Sequence, residues 1–491
     1  MNKLPKNWIL TTIGKVGIVV SGGTPSTKKS EYWEGGNISW ITPADLSKYK
    51  EKNISKGKRN ITQEGLDYSS AKLLPKGTVL FSSRAPIGYT VIAKNELATN
   101  QGFKNLITTK SLSSDYVYYY FKTLKKSAEE VASGTTFLEL SATKFSKLLF
   151  PLAPLEEQKK IVLKIEELFS VLFEIELLLQ KTRKLLINYR LSILNNAFKG
   201  KLIKKSSDVD EYRNWKNIKF KDFCQLQRGY DLPLSTIELG DYPVVTSSGI
   251  KGYHKEYRHK GPCLITGRSG NVGKVYYKDV NHYWPHNTVL FVKDFYENYP
   301  KFVYYYFLGI DFKKYSSGTA VPTLDRKNLN NINIRVPTID TQKNIVQSIE
   351  YHFSMISNLE KIVDNSFEKI ILLRKKILDN AFKGKLVDNI IDESAKDLLK
   401  QIQSEKLEYL KQEKKIQKKR VKKGRTMSSN LSILEILEKA TEPILAKKLW
   451  QQSKHKDDIE AFYSELKSIE DRIEIESKNI DSFIRIKNAN K

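Results

Sequence analysis

At 491 residues the chain exceeds what one hydrophobic core supports, and about three domains of about 150 residues are expected. Its 83 Lys and Arg against 55 Asp and Glu give a net charge of +28, which excludes an acidic chain and favours a polyanionic partner without separating DNA from RNA or an acidic membrane. Only Cys224 and Cys263 are present, which excludes a disulfide scaffold and a close-paired cysteine metal site, and no apolar run approaches a membrane span. Without an export-type apolar core, a cytoplasmic location is expected.

Residues 1–150 read as a mixed α/β head with short β-rich runs at Gly77–Phe81 and Tyr89–Ala93, separated by turn residues. Its polar loops are candidates for base reading: Lys28 and Lys29 in SGGTPSTKK, Arg84 in SSRAPIG, and Asn100 and Gln101 in TNQGFK. Singly, each is as readily a turn or solubilising residue; the case rests on the set. The string VYYYF at Val117–Phe121 admits base stacking or core packing, and helical spacing favours packing.

Residues 151–204 read as one long helix. Pro151 and Pro154 limit its start, and Lys199-Gly200 supply the stop chemistry. Apolar steps of four and three (Ile161, Ile165, Leu168, Leu172, Ile175, Leu179, Leu186, Ile193, with Thr182 and Tyr189 in register) describe a coiled-coil seam. The seam spans about 32 residues, roughly 50 Å of rod.

Residues 205–334 read as a second head of the same design, with a strand run at Gly273–Tyr277 and a second VYYYF at Val303–Phe307. Asn7-Trp8 and Asn214-Trp215 open the two heads alike, and Arg84 with Gly88 resembles Arg268 with Gly273. The candidate loop residues here are Arg228 and Tyr230 in LQRGYDLP, and Ser247, Lys251 and His254 in TSSGIKGYHKE. Arg268, Asn271 and Lys274 follow in TGRSGNVGK, and Asn287 beside His286 in PHN. His282 and His286 flank YWP; without further ligands a structural pair is favoured over a metal site.

Residues 335–390 repeat the long helix. Ser133 to Leu202 aligns without a gap on residues 317–386, an offset of 184, with 24 of 70 positions identical. Ser133-Gly134-Thr135 thus matches Ser317-Gly318-Thr319. The seam recurs as Ile345, Ile349, Ile356, Leu359, Val363, Ile370, Leu373 and Ile377, with His352 and Ser366 in register. Ser366 falls opposite Thr182 in the alignment, so a polar break fixing register between antiparallel helices is expected. The spacing of the repeats favours an antiparallel pair with pseudo-twofold symmetry.

Residues 391–430 read as a basic helical linker or tether. Residues 405–425 alone carry a net +7 and leave +21 elsewhere. Residues 431–491 read as a small helical module of two or three helices and a short strand, similar to a winged helix; a partner-docking hairpin is the alternative.

The strings GGTPS, EYWEGGNISWITPADL, LQRGYDLP, PLAPLEEQKKIV and NAFKGKL, with motifs recurring in both halves, resemble the specificity subunit of type I restriction-modification systems over about residues 1–390. The resemblance implies two target recognition domains, each binding one half of a bipartite asymmetric double-stranded DNA target. They alternate with two conserved helical regions paired as an antiparallel coiled coil that sets the half-site spacing. It further implies two docked modification subunits that methylate adenine with S-adenosylmethionine, and restriction subunits using ATP and Mg. The chain itself is then expected to bind no cofactor or metal and to hold no catalytic residue. No Asn-Pro-Pro-Tyr-like methylation motif is present, and Gly267–Lys274 has the wrong spacing for a phosphate loop. The second repeat opens on VPTIDTQ at Val336–Gln342, where the family carries a proline-leucine-glutamate-glutamine start, so docking there is expected to differ. A self-contained restriction enzyme and a structural adaptor are the rival readings.

Overall fold

The computed structural model describes residues 4–487 except 85, 135–137, 203–214, 234–236, 238–239, 319–321, 389–392, 428–430, 441, 456–457 and 479–480. It describes backbone alone for 416–427, 477–478 and 481. Thr135, Asn214 and Thr319 of the sequence comparison lie outside the described residues. The chain divides into two units, Met1–Glu167 with Lys375–Lys491, and Leu168–Arg374.

In the first unit, strands Ile9–Thr12 and Leu149–Leu152 pair antiparallel and close the head where the chain enters and leaves it. Its larger sheet runs Ile18–Ser21, Phe103–Ile107, Val79–Ser82, Thr90–Ala93, Asn53–Ile54 in spatial order. The smaller sheet runs Arg59–Ile61, Ile38–Ile41, Ala98–Thr99. Three strands of the larger sheet are buried along their whole length, as their sequences VLFS, TVIA and FKNLI require of a sheet covered on both faces.

Ser113 caps the helix Ser114–Phe121 by accepting from Tyr116 N at 3.3 Å. This helix carries the first VYYYF, and Tyr116, Val117 and Phe121 are fully buried. The Tyr116 hydroxyl donates to Pro151 O and that of Tyr120 to Leu149 O, so these rings pack inside the head.

The second unit repeats the plan. Lys216–Lys219 pairs antiparallel with Asn333–Val336, and one sheet runs Gln225–Arg228, Val289–Asp294, Cys263–Gly267, Val275–Lys278. The other runs Gly249–His254, Tyr242–Thr246, His282–Pro285, His259–Lys260. Each head thus has a central strand (Ile38–Ile41 or Tyr242–Thr246) flanked by one antiparallel and one parallel neighbour. The second VYYYF lies on the helix Pro300–Gly309.

The long helices are Leu155–Ala197 and Ile339–Phe382, 43 and 44 residues, longer than the seam alone predicts. Both end in a Schellman turn: Lys201 N donates to Asn196 O and Lys385 N to Asn380 O, each at 2.9 Å. Gly200 (φ 69°) and Gly384 (φ 67°) supply the left-handed residue this turn needs.

Within the second unit the two helices pair antiparallel. Glu176 meets Arg374 at 3.0 Å, Glu360 meets Arg190 at 3.1 Å, and Arg183 bonds Asp364. Rising numbers on one helix meet falling numbers on the other, which only an antiparallel pair allows. The first two contacts are images of each other under the offset of 184, and so are the rings beneath them. Arg374 lies 5.7 Å from the Phe169 ring and Arg190 4.9 Å from the Phe353 ring. Identity between the repeats is kept at the residues that make these contacts.

Along the seam Ile161, Ile165, Leu172, Leu186, Ile193, Ile345, Ile349, Ile356, Val363 and Ile370 are buried, and Leu168, Leu179 and Ile377 half-buried. Ile175, Leu359, Leu373 and Tyr189 instead stand 42–49% exposed. Two helices alone cover a narrow stripe, and an untwisted helix drifts about 20° per heptad from a strict repeat, which carries these positions to the rim. Thr182 and Ser366 do not bridge the helices. Their hydroxyls donate to Leu178 O and Ile362 O of their own helices, the local bond these residues compete for.

Beyond the repeat, the helix Ala395–Met427 is docked on the first head along its first half, where a free tether was the alternative. Ala395 N donates to Asn7 O, Ser111 N and Oγ bond the Glu405 carboxylate, and Lys406 Nζ bonds Gly14 O. Tyr409 and Leu410 pack against the core around Phe103 and Leu80. Residues 431–486 form helices Ile433–Glu438, Ala446–Gln452 and Ile459–Ser468 beside an antiparallel three-stranded sheet, Ile444–Leu445, Asp481–Ile486, Ile473–Lys478. The sheet is larger than the single short strand expected, because RIEIES and DSFIRI alternate as a hairpin.

Candidate nucleic-acid interface

In the first head four loops converge. Gly23 N donates to Thr99 O at 2.8 Å, Thr24 Oγ1 bonds Gln101 Oε1, Ser83 N donates to Gly102 O at 2.7 Å, and Leu140 N to Ser83 O at 2.9 Å. The approach at the SGG turn requires glycine, since a Cβ on Gly22 would stand 1.9 Å from Asn100 O. Arg84, half-buried, reaches Glu139 at 3.4 Å. Beneath it Lys104, 5% exposed, donates to Ser83 Oγ and Gln101 O and stands 3.9 Å from Glu139. Burial holds the Lys104 ammonium below the ordinary lysine pKa against the pull of Glu139, and Arg84 lowers it further.

Asn100 uses its side-chain oxygen to accept from Gly102 N at 3.0 Å, leaving its amide nitrogen for another partner. Lys28 and Lys29 are exposed where this loop continues. Lys29 bonds the Tyr32 hydroxyl at 3.1 Å, which raises its pKa. Lys104, Glu139 and Thr24 were not among the sequence candidates. Their roles come from pairings across the fold that leave no local signal.

The second head builds the same junction from other residues. Tyr230 N donates to Pro285 O at 2.8 Å, His286 N to Val245 O, Arg268 N to Thr288 O and Leu324 N to Arg268 O. Gly229 takes the place of Gly22, with a Cβ there 2.1 Å from His286 O. Asn271 donates to Ser248 Oγ at 3.2 Å, Asn287 bonds Asp231, and Arg228 stands 3.5 Å from Asp231.

Several candidates are structural here. Tyr230 is half-buried against Phe291 with its hydroxyl accepting from Gln227, and Ser247 is buried with its N–H on Thr288 Oγ1. His286 is buried between Leu232 O and Thr288 Oγ1, while His282 packs on Tyr257. No cluster of three metal-ligating side chains occurs among the described residues. Lys251 and Lys274 are exposed; His254 packs edge-on against Trp284 at 5.0 Å.

The sequence pairing of Arg84 with Arg268 is out by one. Backbone bonds equate Ser83 with Arg268, because each accepts from the leucine 184 apart (Leu140, Leu324). The bridges Arg84↔Glu139 and Ser269↔Thr323 equate Arg84 with Ser269. The heads therefore carry their arginines at adjacent positions of this loop.

The paired helices carry a second surface. Val171 and Leu178, two turns apart on one helix face, are 50–64% exposed, and their images Met355 and Ile362 are 48–59% exposed. The exposed apolar pair recurs at the fixed offset in both helices.

The head–helix joints also match. Gln158 Oε1 accepts from Ser113 N at 3.1 Å, and its image Gln342 Oε1 from Tyr299 N at 2.8 Å. Eight residues on, Glu166 receives the Tyr119 hydroxyl at 3.3 Å and Lys52 at 2.6 Å. Its image Glu350 bonds Lys301 at 2.8 Å and stands beside Tyr305. Burial raises both tyrosine pKa values, and the neighbouring carboxylates add to it. Burial opposes the Lys52 charge, yet its bonds to Asp115 and Glu166 leave it above the ordinary lysine value. At the start of the first helix, buried Glu157 accepts from Trp8 Nε1 at 2.9 Å and Asn7 Nδ2 at 3.0 Å. Its image is Thr341, the point at which the second repeat departs from the family pattern.

The model of the "type I restriction modification DNA specificity domain" matches residues 5–183 and 212–366, well over half of the chain. The MjaIX type I specificity subunit of Methanocaldococcus jannaschii is 37% identical over 243 residues, covering 48% of this chain and 55% of that one. The EcoKI specificity subunit of Escherichia coli is 21% identical over 431 residues, covering 78% and 90%. The match thus spans about half the length of the first of these relatives. A chain from a study of assembly and conformational transition of a type I R-M system superposes with TM-score 0.62 at 17% identity, over 78% of this chain and 99% of that one. The HsdS subunit of Thermoanaerobacter tengcongensis superposes with TM-score 0.54 at 16% identity, over 78% and 98%. With both heads, both helices and these matches in agreement, the chain belongs to the type I restriction-modification DNA specificity family.

Proposed function

We propose that this chain is the non-catalytic recognition subunit of a type I restriction-modification complex, each head reading one half of a bipartite, asymmetric DNA target. The carrying observation is the contrast between what the duplication keeps and what it changes. Ion pairs, ring contacts and exposed apolar positions of the helices recur at a fixed offset, while the loop junctions of the heads keep backbone geometry and differ in side chains. A repeated partner accounts for the first, and two different base sequences for the second.

On this reading Arg84, Asn100, Gln101, Lys28 and Lys29 serve one half-site, and Arg228, Arg268, Asn271, Lys274, Asn287 and Lys251 the other. His254, Tyr230 and Ser247 support the second junction. The helix pair sets the spacing, and its two symmetric apolar patches seat two modification subunits that bring S-adenosylmethionine and methylate adenine. A restriction subunit using ATP and Mg completes the complex, which acts in the cytoplasm. The test is a single-molecule map of genomic N6-methyladenine with and without this chain, its modification partner present in both. An interrupted motif that vanishes with the chain is expected; an unchanged map refutes the proposal.

A further inference from the structure

Beyond that reading, and resting on it, we propose that the Tyr–Glu–Lys clasps Tyr119–Glu166–Lys52 and Tyr305–Glu350–Lys301 are positioning joints that fix each head's angle on its long helix and so set spacer discrimination.

The string VYYYF is kept whole on a helix of each head, although neither copy belongs to the loop junction. Its contacts explain why. In the first unit, Gln158 holds its start, Glu166 holds Tyr119, and Phe382 packs edge-on against Tyr116 and Tyr120 at 5.2 and 5.0 Å. In the second, Gln342 and Phe198 repeat this, with Phe198 against Phe302 and Tyr306 at 5.5 and 4.9 Å, and Glu350 beside Tyr305 bonds Lys301. The glutamine and glutamate, eight residues apart, share a helix face; in the first joint they grip the short helix at its start and near its end, and in the second at its start and beside its middle. Two grips define a direction where one would leave a pivot.

The lysines break the symmetry. Lys301 belongs to the joint helix itself, whereas Lys52 lies beside strand Asn53–Ile54 at the edge of the first head's sheet and also bonds Asp115 at 2.8 Å. The first clasp therefore ties the sheet edge to the rod, and the second ties only the joint helix. One base pair of spacer moves a half-site by about 3.4 Å along DNA and about 34° around it, so a loosened joint admits neighbouring spacers.

The test uses the full complex in cells, with methylation read at sites carrying the native spacer and spacers one pair longer or shorter. Lys301→Glu is expected to reduce discrimination against wrong spacers about fivefold, the size of a partly exposed ion pair. Lys301→Glu with Glu350→Lys restores it, which a general packing defect would not allow. Tyr305→Phe, keeping the ring and losing the hydroxyl, moves it the same way by less and serves if the charge variant does not fold. Unchanged discrimination with an interrupted motif overturns this inference alone. A wild-type map without an interrupted motif overturns the functional reading and this inference together.

Discussion

Glu157 is a single carboxylate, fully buried, that satisfies the Trp8 indole and the Asn7 amide together. Glu157→Ala removes the acceptor of the buried Trp8 indole N–H, and a loss of about 1–3 kcal/mol is expected in denaturant unfolding. Under the proposed function Arg84 and Arg268 contact DNA bases instead. Arg84→Ala and Arg268→Ala are each expected to weaken target binding by about tenfold in fluorescence anisotropy while leaving non-specific binding nearly unchanged. Equal loss on target and random DNA would make them phosphate contacts. Residue types at these loops were legible in the sequence, because turn chemistry and polar side chains announce a surface loop. Which ones face out was not. Tyr230, Ser247 and His286 look like base readers in the chain and are consumed by the fold, and Lys104 gave no sign because its partners lie at Ser83, Gln101 and Glu139.

At the scale of elements, the long helices were the most legible part, since heptads, proline starts and glycine stops are local signals. Their rim was less so: Ile175, Leu359 and Leu373 fit the seven-residue pattern, but a two-helix contact is too narrow to cover them. The Glu176–Arg374 and Glu360–Arg190 pairs test the antiparallel register. A double-mutant cycle at either pair is expected to give a coupling of about 0.5 kcal/mol, modest because both partners are a third or more exposed. The docking of Ala395–Met427 was not legible, because basic composition hid the apolar stripe of Ile402, Tyr409 and Leu410. Glu405→Ala removes the acceptor of the Ser111 N–H and hydroxyl. Faster amide exchange along the first half of that helix is the expected outcome, read by mass spectrometry.

For the whole molecule, the excess charge of +28 makes binding strongly salt-dependent, and affinity should fall steeply between 50 and about 200 mM salt. The central claim is that two heads read independently across a fixed spacing. Its most direct test is the methylome of a chain carrying Arg268→Ala, Asn271→Ala and Lys274→Ala together. One half of the interrupted motif should relax while the other half and the spacer stay as they were. Relaxation of both halves, or a motif that does not change, would contradict the account.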